Sequence, residues 1–356
     1  MNTNLSLQAK QDKQVASWLI FVASVIFFMI MLGGATRLTS SGLSMVDWKP
    51  IMGVIPPLTD TDWTETFERY KEFPEYQKKN AGMSLDSFKS IFYFEYFHRI
   101  LGRLIGLFFL VPFLYFWSKG AIRRKMLPQM IALFILGGMQ GLLGWYMVKS
   151  GLVNEPNVSQ YRLTAHLISA VLLFSYLLWV AFGLLKKSAA ELTNLTEVDE
   201  AISNRFYRYA KALTGLIVFM IFSGGFVAGT KAGYAYNTFP LMAGKMIPDG
   251  LYTMQPFWLN WFENITTIQF NHRLIAYSLF FVVPLFAFNL IKNNVSSRCT
   301  TAAKFFIGIL FIQIALGIST LVFHMPVAIA VSHQGGAIIL LTIAIFITRE
   351  LKAEHD

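Results

Sequence analysis

Residues 92–117 read FYFEYFHRILGRLIGLFFLVPFLYFW, an apolar run that contains a glutamate, a histidine and two arginines. About 20 apolar residues in a helix cross the core of a bilayer, so this run predicts a membrane-spanning helix with ionisable groups inside it. Seven further runs have similar length and apolarity: 16–36, 128–148, 163–185, 211–230, 266–291, 304–324 and 329–348. The sequence therefore predicts an all-α integral membrane protein with eight transmembrane helices.

Composition agrees with this fold class. Hydrophobic residues make up 55% of the chain and charged residues 14%, against roughly 25% charged residues in soluble domains. The net charge of +10 does not indicate nucleic-acid binding, because the basic residues lie in short loops between the apolar runs. Cys299 is the single cysteine, so an intramolecular disulfide and a CxxC motif are both excluded.

The basic residues also predict the orientation. Sixteen of them fall in the two termini and in the short segments 118–127, 186–211 and 292–304, and eleven fall in the alternate, mostly longer segments. Loops rich in Lys and Arg stay in the cytoplasm. We therefore expect a multi-pass protein with both termini cytoplasmic and the long segments 37–91 and 231–265 facing outward.

The two halves of the chain repeat each other. Equivalent positions are Gly33-Gly34 and Gly224-Gly225, His98-Arg99 and His272-Arg273, Gln140 and Gln313, Gly144 and Gly317, and His166 and His333. Parallel repeats are related by an axis along the membrane normal. We expect two pseudo-symmetric four-helix bundles, 1–185 and 211–356, joined by a cytoplasmic linker at 186–210. Glycines four residues apart, such as Gly137 and Gly141, predict close helix contacts.

Four of the six histidines lie inside predicted helices at these repeated positions, each within about two turns of the outward end. Two histidines on different helices of a bundle can bind a haem iron from both faces. The alternative is that each histidine only bonds a neighbouring helix. Four histidines in two matched pairs favour haem binding, because polar groups inside membranes are usually functional.

The charged residues near these histidines differ between the two halves. Arg99 and Arg273 each follow a histidine, and Arg162 precedes His166 by one helical turn. Arginine suits haem propionates, although Arg162 could instead reach the interface. A carboxyl group at lipid level is costly to ionise, which suits Glu95 to proton exchange. Its repeat partner is the neutral Gln269, so the first half is the candidate for chemistry. A salt bridge from Glu95 to Arg99 or Arg103 is the alternative.

Specific stretches carry a resemblance to the haem A synthase family of proteobacteria and mitochondria. They are GGATRLTSSGLSMVDWKP (33–50), EYFHRILGR (95–103), QYRLTAHL (160–167), AGYAYNTFPLMAGKMIPDG (232–250), QFNHR (269–273) and SHQ (332–334). The resemblance covers almost all of 16–348. Some relatives carry a cysteine pair in the first outward loop, whereas 37–91 here has none, which questions a thiol role for that loop.

The resemblance implies that His272 and His333 bind the iron of a resident haem b. It also implies that His98 and His166 bind the iron of the substrate, haem O, and that Glu95 is the functional glutamate. The implied reaction oxidises a ring methyl of haem O to the formyl group of haem A for cytochrome oxidase. Implied partners are haem O synthase, oxidase assembly factors and an unknown electron donor. The implied location of the protein is the bacterial inner membrane.

Two other functions would use four histidines. A haem-b electron-transfer protein, such as a quinol or ferric reductase, would place haem near each membrane face, whereas all four histidines here lie toward the outward face. A haem exporter would not require the contrast between Glu95 and Gln269 and would not oxidise haem.

Overall fold

The computed structural model describes residues 2–46, 54–151, 157–193 and 200–352. Within them lie ten α-helices: α1 Asn2–Leu38, α2 Asp60–Lys71, α3 Pro74–Lys79, α4 Leu85–Ser118, α5 Leu127–Gly151, α6 Gln160–Thr193, α7 Glu200–Gly229, α8 Ile265–Lys292, α9 Ser297–Val322 and α10 Val327–Leu351. All except α2 and α3 are long and apolar enough to cross a membrane. The predicted all-α fold with eight spans is confirmed.

Helix packing follows the same pattern in both halves. In the first half α1 and α5 each pack against α4 and α6, and in the second half α7 and α9 each pack against α8 and α10. The halves meet where α6 contacts α7 and α10, and where α1 contacts α10. This pattern is compatible with two pseudo-symmetric four-helix bundles, and the division at 186–210 stays a prediction.

One apolar core runs through both halves. Its buried members come from every membrane-spanning helix and include Leu19, Met130, Leu177, Ile217 and Leu341. Lipid tails are as apolar as leucine, so burial between helices gains little from the hydrophobic effect. Close van der Waals packing of these side chains is therefore the main force that holds the bundle together.

The segment 37–91, which the sequence predicts to face outward, contains folded structure that the apolar pattern did not predict. Helix α2 begins with a capping box between Thr59 and Asp62, and α4 begins at Leu85, capped by the Ser84 side chain. The early start of α4 adds about two turns before the predicted run. We call α2, α3 and these added turns the outer cap; aromatic side chains hold it together, namely Trp63, Phe67, Tyr70, Phe88 and Phe92.

The predicted linker 186–210 contains the end of α6 and the beginning of α7, and residues 194–199 lie outside the described part of the chain. Lys186 donates from Nζ to the carbonyls of Glu350 and Lys352, at 2.7 Å each. The Ser203 hydroxyl donates to the carbonyl of Leu351. The end of α10 is thus fixed between the two helices that join the halves.

The predicted helix contact at Gly137 and Gly141 is wrong. A Cβ built on either glycine would meet no atom of the described residues within 4 Å. Neighbouring side chains on α5, such as Leu136 and Leu142, are exposed. This face of α5 therefore points away from the bundle, toward lipid.

Candidate functional site

Each of the four paired histidines lies against a glycine of the preceding membrane-spanning helix. A Cβ built on Gly33 would lie 3.2 Å from Nε2 of His98, and one on Gly224 would lie 3.3 Å from Cε1 of His272. The same holds for His166 and His333, where the Cβ would lie 3.0 Å from Cε1 on Gly144 and 2.8 Å on Gly317. Carbon atoms pack at about 3.5–4.0 Å, so only glycine leaves room for these rings.

The structure brings the histidines together in the predicted pairs. His98 and His166 are close enough to interact electrostatically, and so are His272 and His333. His166, His272 and His333 each lie about two turns from the beginning of their helix. His98 lies deeper within its own helix, because α4 already begins at Leu85, in the outer cap.

The second-half histidines have partners that orient their rings. Nδ1 of His272 lies 3.2 Å from the Ser223 hydroxyl, and Nδ1 of His333 lies 3.2 Å from the backbone carbonyl of Gln313. A hydrogen bond at Nδ1 fixes the ring and leaves Nε2 to bind a metal. These two side chains therefore fit the axial positions of a haem iron.

A pair of histidines suits an iron whose remaining ligands come from a porphyrin. Among the described residues, no group of three or more His, Cys, Asp or Glu side chains could hold a bare metal ion. Arg273 lies 7% exposed, and its Nε has no hydrogen-bond partner in the described part of the chain. This buried donor is available to a propionate, so the residues present fit a haem in the second half.

Glu95 is held by several donors. Its carboxylate forms a 2.5 Å salt bridge with Arg99, accepts 2.9 Å from the Ser44 hydroxyl, and accepts 2.7 Å from the backbone N–H of Met45. Both charged side chains are nearly fully buried. The alternative of a salt bridge from Glu95 to Arg99 is therefore what the structure shows. The role of Glu95 in proton exchange stays a prediction.

The second half repeats part of this arrangement, with the direction of the hydrogen bond reversed at Gln269. Gln269 donates a 3.0 Å hydrogen bond to the backbone carbonyl of Tyr236. Tyr236 is the residue of the second half that is equivalent to Met45. Arg273 donates 3.1 Å to the same carbonyl, as Arg99 donates 2.7 Å to the carbonyl of Met45. Glu95 and Arg99 thus hold the loop that follows α1. Gln269 and Arg273 hold the loop that follows α7 in the same way.

The arginines therefore have protein partners in this structure. Arg273 also approaches the carbonyls of Pro240 and Leu241, at 3.4 and 3.5 Å. Arg162 lies 3.9 Å above the Tyr146 ring and donates 3.1 Å to its carbonyl. A propionate contact for any of these arginines stays a prediction.

The outer cap places a second buried carboxyl group within electrostatic reach of Glu95. Glu75 is 3% exposed and accepts a 3.2 Å hydrogen bond from the Tyr70 hydroxyl, which itself accepts 2.7 Å from Asn80. Burial, and then the negative charge of Glu95, raise the pKa of Glu75 to about 7. Burial and Glu75 raise the pKa of Tyr70 as well. Sequence reasoning missed this group, because Glu75 lies in a polar stretch without a repeat partner.

The fold and the two matched histidine pairs define a multi-pass membrane protein with two candidate haem sites. A family model described as cytochrome oxidase assembly protein matches residues 16–345. Heme A synthase of Nitrosospira multiformis is 46% identical over 96% of this chain and 95% of its own length. Heme A synthase of Nitrosomonas eutropha is 46% identical, over 95% and 93%. Heme A synthase of Parvibaculum lavamentivorans is 45% identical, over 93% and 92%. The chain belongs to the cytochrome oxidase assembly protein family.

Proposed function

We propose that this protein is a haem A synthase, which oxidises a ring methyl of haem O to the formyl group of haem A. The observation that carries the proposal is the four intramembrane histidines in two matched pairs, each against a glycine. Full-length similarity to proteins named heme A synthase supports the same function. A protein that only conducts electrons across the membrane would need haems near both faces, whereas these pairs occupy one end of the bundle.

We propose a division of labour between the halves. His272 and His333 bind a resident haem b, whose iron accepts and passes on electrons when it is bound. His98 and His166 bind the iron of haem O. The hydrogen bonds at Nδ1 of His272 and His333 support a permanent ligand role for this pair.

Glu95 is the proposed proton acceptor of the first half. Converting a methyl to a formyl group removes hydrogen and adds oxygen, so protons must leave the site. Four donor contacts from Arg99, Ser44 and Met45 hold the Glu95 carboxylate in place. A carboxyl group three residues before His98 on the same helix can exchange a proton, whereas the amide of Gln269 cannot.

Localisation and partners follow from the same proposal. We propose the bacterial inner membrane with both termini in the cytoplasm, which the distribution of basic residues supports. Both histidine pairs then lie toward the outer face. The substrate would come from haem O synthase, and the product would go to cytochrome oxidase through its assembly factors.

Expression in cells that make haem O but no haem A tests the function. We expect haem A to appear in membranes that contain the wild-type chain and to be absent with His98→Ala. His324→Ala is a suitable control, because this histidine has no repeat partner and lies outside α9 and α10. Membranes that contain the wild-type protein at normal levels, with haem O but no haem A, would contradict the proposal.

A further inference from the structure

Equivalent glutamines hold the backbone beside one histidine in each half. Gln140 donates from Nε2 to the backbone carbonyl of His166 at 2.8 Å, and Gln313 donates to the carbonyl of His333 at 2.9 Å. An amide oxygen at that distance would repel the carbonyl oxygen. The nitrogen of each amide must therefore face the histidine-bearing helix.

The same amide nitrogen determines which ring nitrogen of His166 carries the proton. Nε2 of Gln140 lies 3.1 Å from Nδ1 of His166, and an amide nitrogen can only donate. Nδ1 is therefore an acceptor, and the proton of the neutral ring resides on Nε2. The Ser169 hydroxyl lies 2.6 Å from the amide oxygen of Gln140 and holds the other end of the amide.

His333 has the opposite arrangement. Its Nδ1 faces the backbone carbonyl of Gln313 at 3.2 Å, and a carbonyl can only accept. Nδ1 of His333 therefore carries the proton, and the lone pair of Nε2 is free. The two repeats thus place the same residue types together but leave only the second-half ring ready to bind iron through Nε2.

We propose that Gln140 is a positioning residue that keeps His166 a weak, exchangeable ligand, so that substrate haem can enter and product haem can leave. This inference rests on the proposed function. To bind iron through Nε2, the His166 ring must lose the proton there and gain one at Nδ1. The hydrogen bond from Gln140 must then break. His333 binds without that rearrangement, so its haem stays.

Gln140→Leu tests the proposal, because leucine fills similar space without a donor. Removing a partner that supports the ligating form of a histidine weakens metal binding about 10- to 100-fold. Gln140 opposes that form, so its removal should have the opposite sign, and we expect haem O and haem A to leave the variant at least ~10-fold more slowly. The measurement is transfer of haem from purified, haem-loaded protein to apomyoglobin. A second readout is the carbon monoxide difference spectrum of the reduced protein. Carbon monoxide should displace His166 readily in the wild type and poorly in the variant.

Gln313→Leu is the matched control and should leave the release of haem O and haem A unchanged. Equal or faster release from Gln140→Leu, or the same slowing in Gln313→Leu, would overturn the inference. Ser169→Ala frees the amide while keeping Gln140, and should slow release in the same direction by a smaller factor. If Gln140→Leu does not fold, unchanged haem release from Ser169→Ala would overturn the inference. Wild-type protein that carries neither haem O nor haem A would instead refute the proposed function.

Discussion

Gly317→Ala is a minimal change that tests whether the glycine contacts hold the histidines in place. The new methyl carbon would lie 2.8 Å from Cε1 and 3.4 Å from Nδ1 of His333. Ordinary carbon contacts begin near 3.5 Å, so the ring must move by roughly 0.7 Å. That movement would also disturb the bond from Nδ1 to the Gln313 carbonyl.

The size of the effect follows from overpacking and from metal geometry. An extra methyl in a well-packed core costs about 1–3 kcal/mol, which corresponds to roughly 5- to 150-fold in affinity. Ligand distances at a metal site hold to within about 0.2 Å, so the displaced ring cannot bind iron in its normal position. We expect Gly317→Ala to insert in the membrane and to lose most of its haem b.

The assay is the haem b content of purified protein, measured from the reduced-minus-oxidised spectrum and from extracted pigment. Gly308→Ala is the matched control on the same helix, because a Cβ there would meet nothing within 4 Å of the described residues. Full haem b with an unchanged spectrum in Gly317→Ala would refute the argument that glycine makes room for the ligand. Loss of haem b from Gly308→Ala would refute it as well.

Three further predictions concern carboxyl groups and topology. Glu95→Gln should keep haem b but lose about 10²–10⁴-fold in rate and accumulate haem O; normal haem A on pigment chromatography would make Glu95 only a structural partner of Arg99. Because the folded pKa of Glu75 is raised from 4.5 to about 7, its protonated form is favoured, so stability of the outer cap should fall as pH rises through that window. Glu75→Gln should abolish this trend in hydrogen exchange of α2, whereas Glu72→Gln, an exposed neighbour, should leave it unchanged; a persistent trend in Glu75→Gln would contradict the burial argument. Reporter fusions after Gly82 and at the carboxyl terminus should give opposite readouts, and identical readouts would contradict the proposed topology.

Apolar length was sufficient to predict the membrane-spanning helices, because a helix satisfies its backbone hydrogen bonds within its own segment inside lipid. The outer cap was missed since its helices are short and largely polar. A signal was present in the capping box at Thr59–Asp62 and in the spacing of Trp63, Phe67 and Tyr70, which places three aromatic rings on one face of α2.

The repeat identified the paired histidines and their glycines but not what each one touches. Contacts between distant segments, such as Arg99 with the Met45 carbonyl, depend on how loops fold back over helices. The same limit explains why the sequence left a salt bridge to Glu95 as an alternative. It also explains Gly137, since glycine spacing alone does not say whether a helix face meets protein or lipid.

Pigment analysis of three purified proteins addresses the division of labour most directly. Wild type should yield haem b together with haem O or haem A. His333→Ala should lose haem b, and His166→Ala should keep haem b but lose haem O and haem A. A wild-type preparation with haem b alone, or loss of haem b from His166→Ala but not from His333→Ala, would contradict the assignment of the two halves.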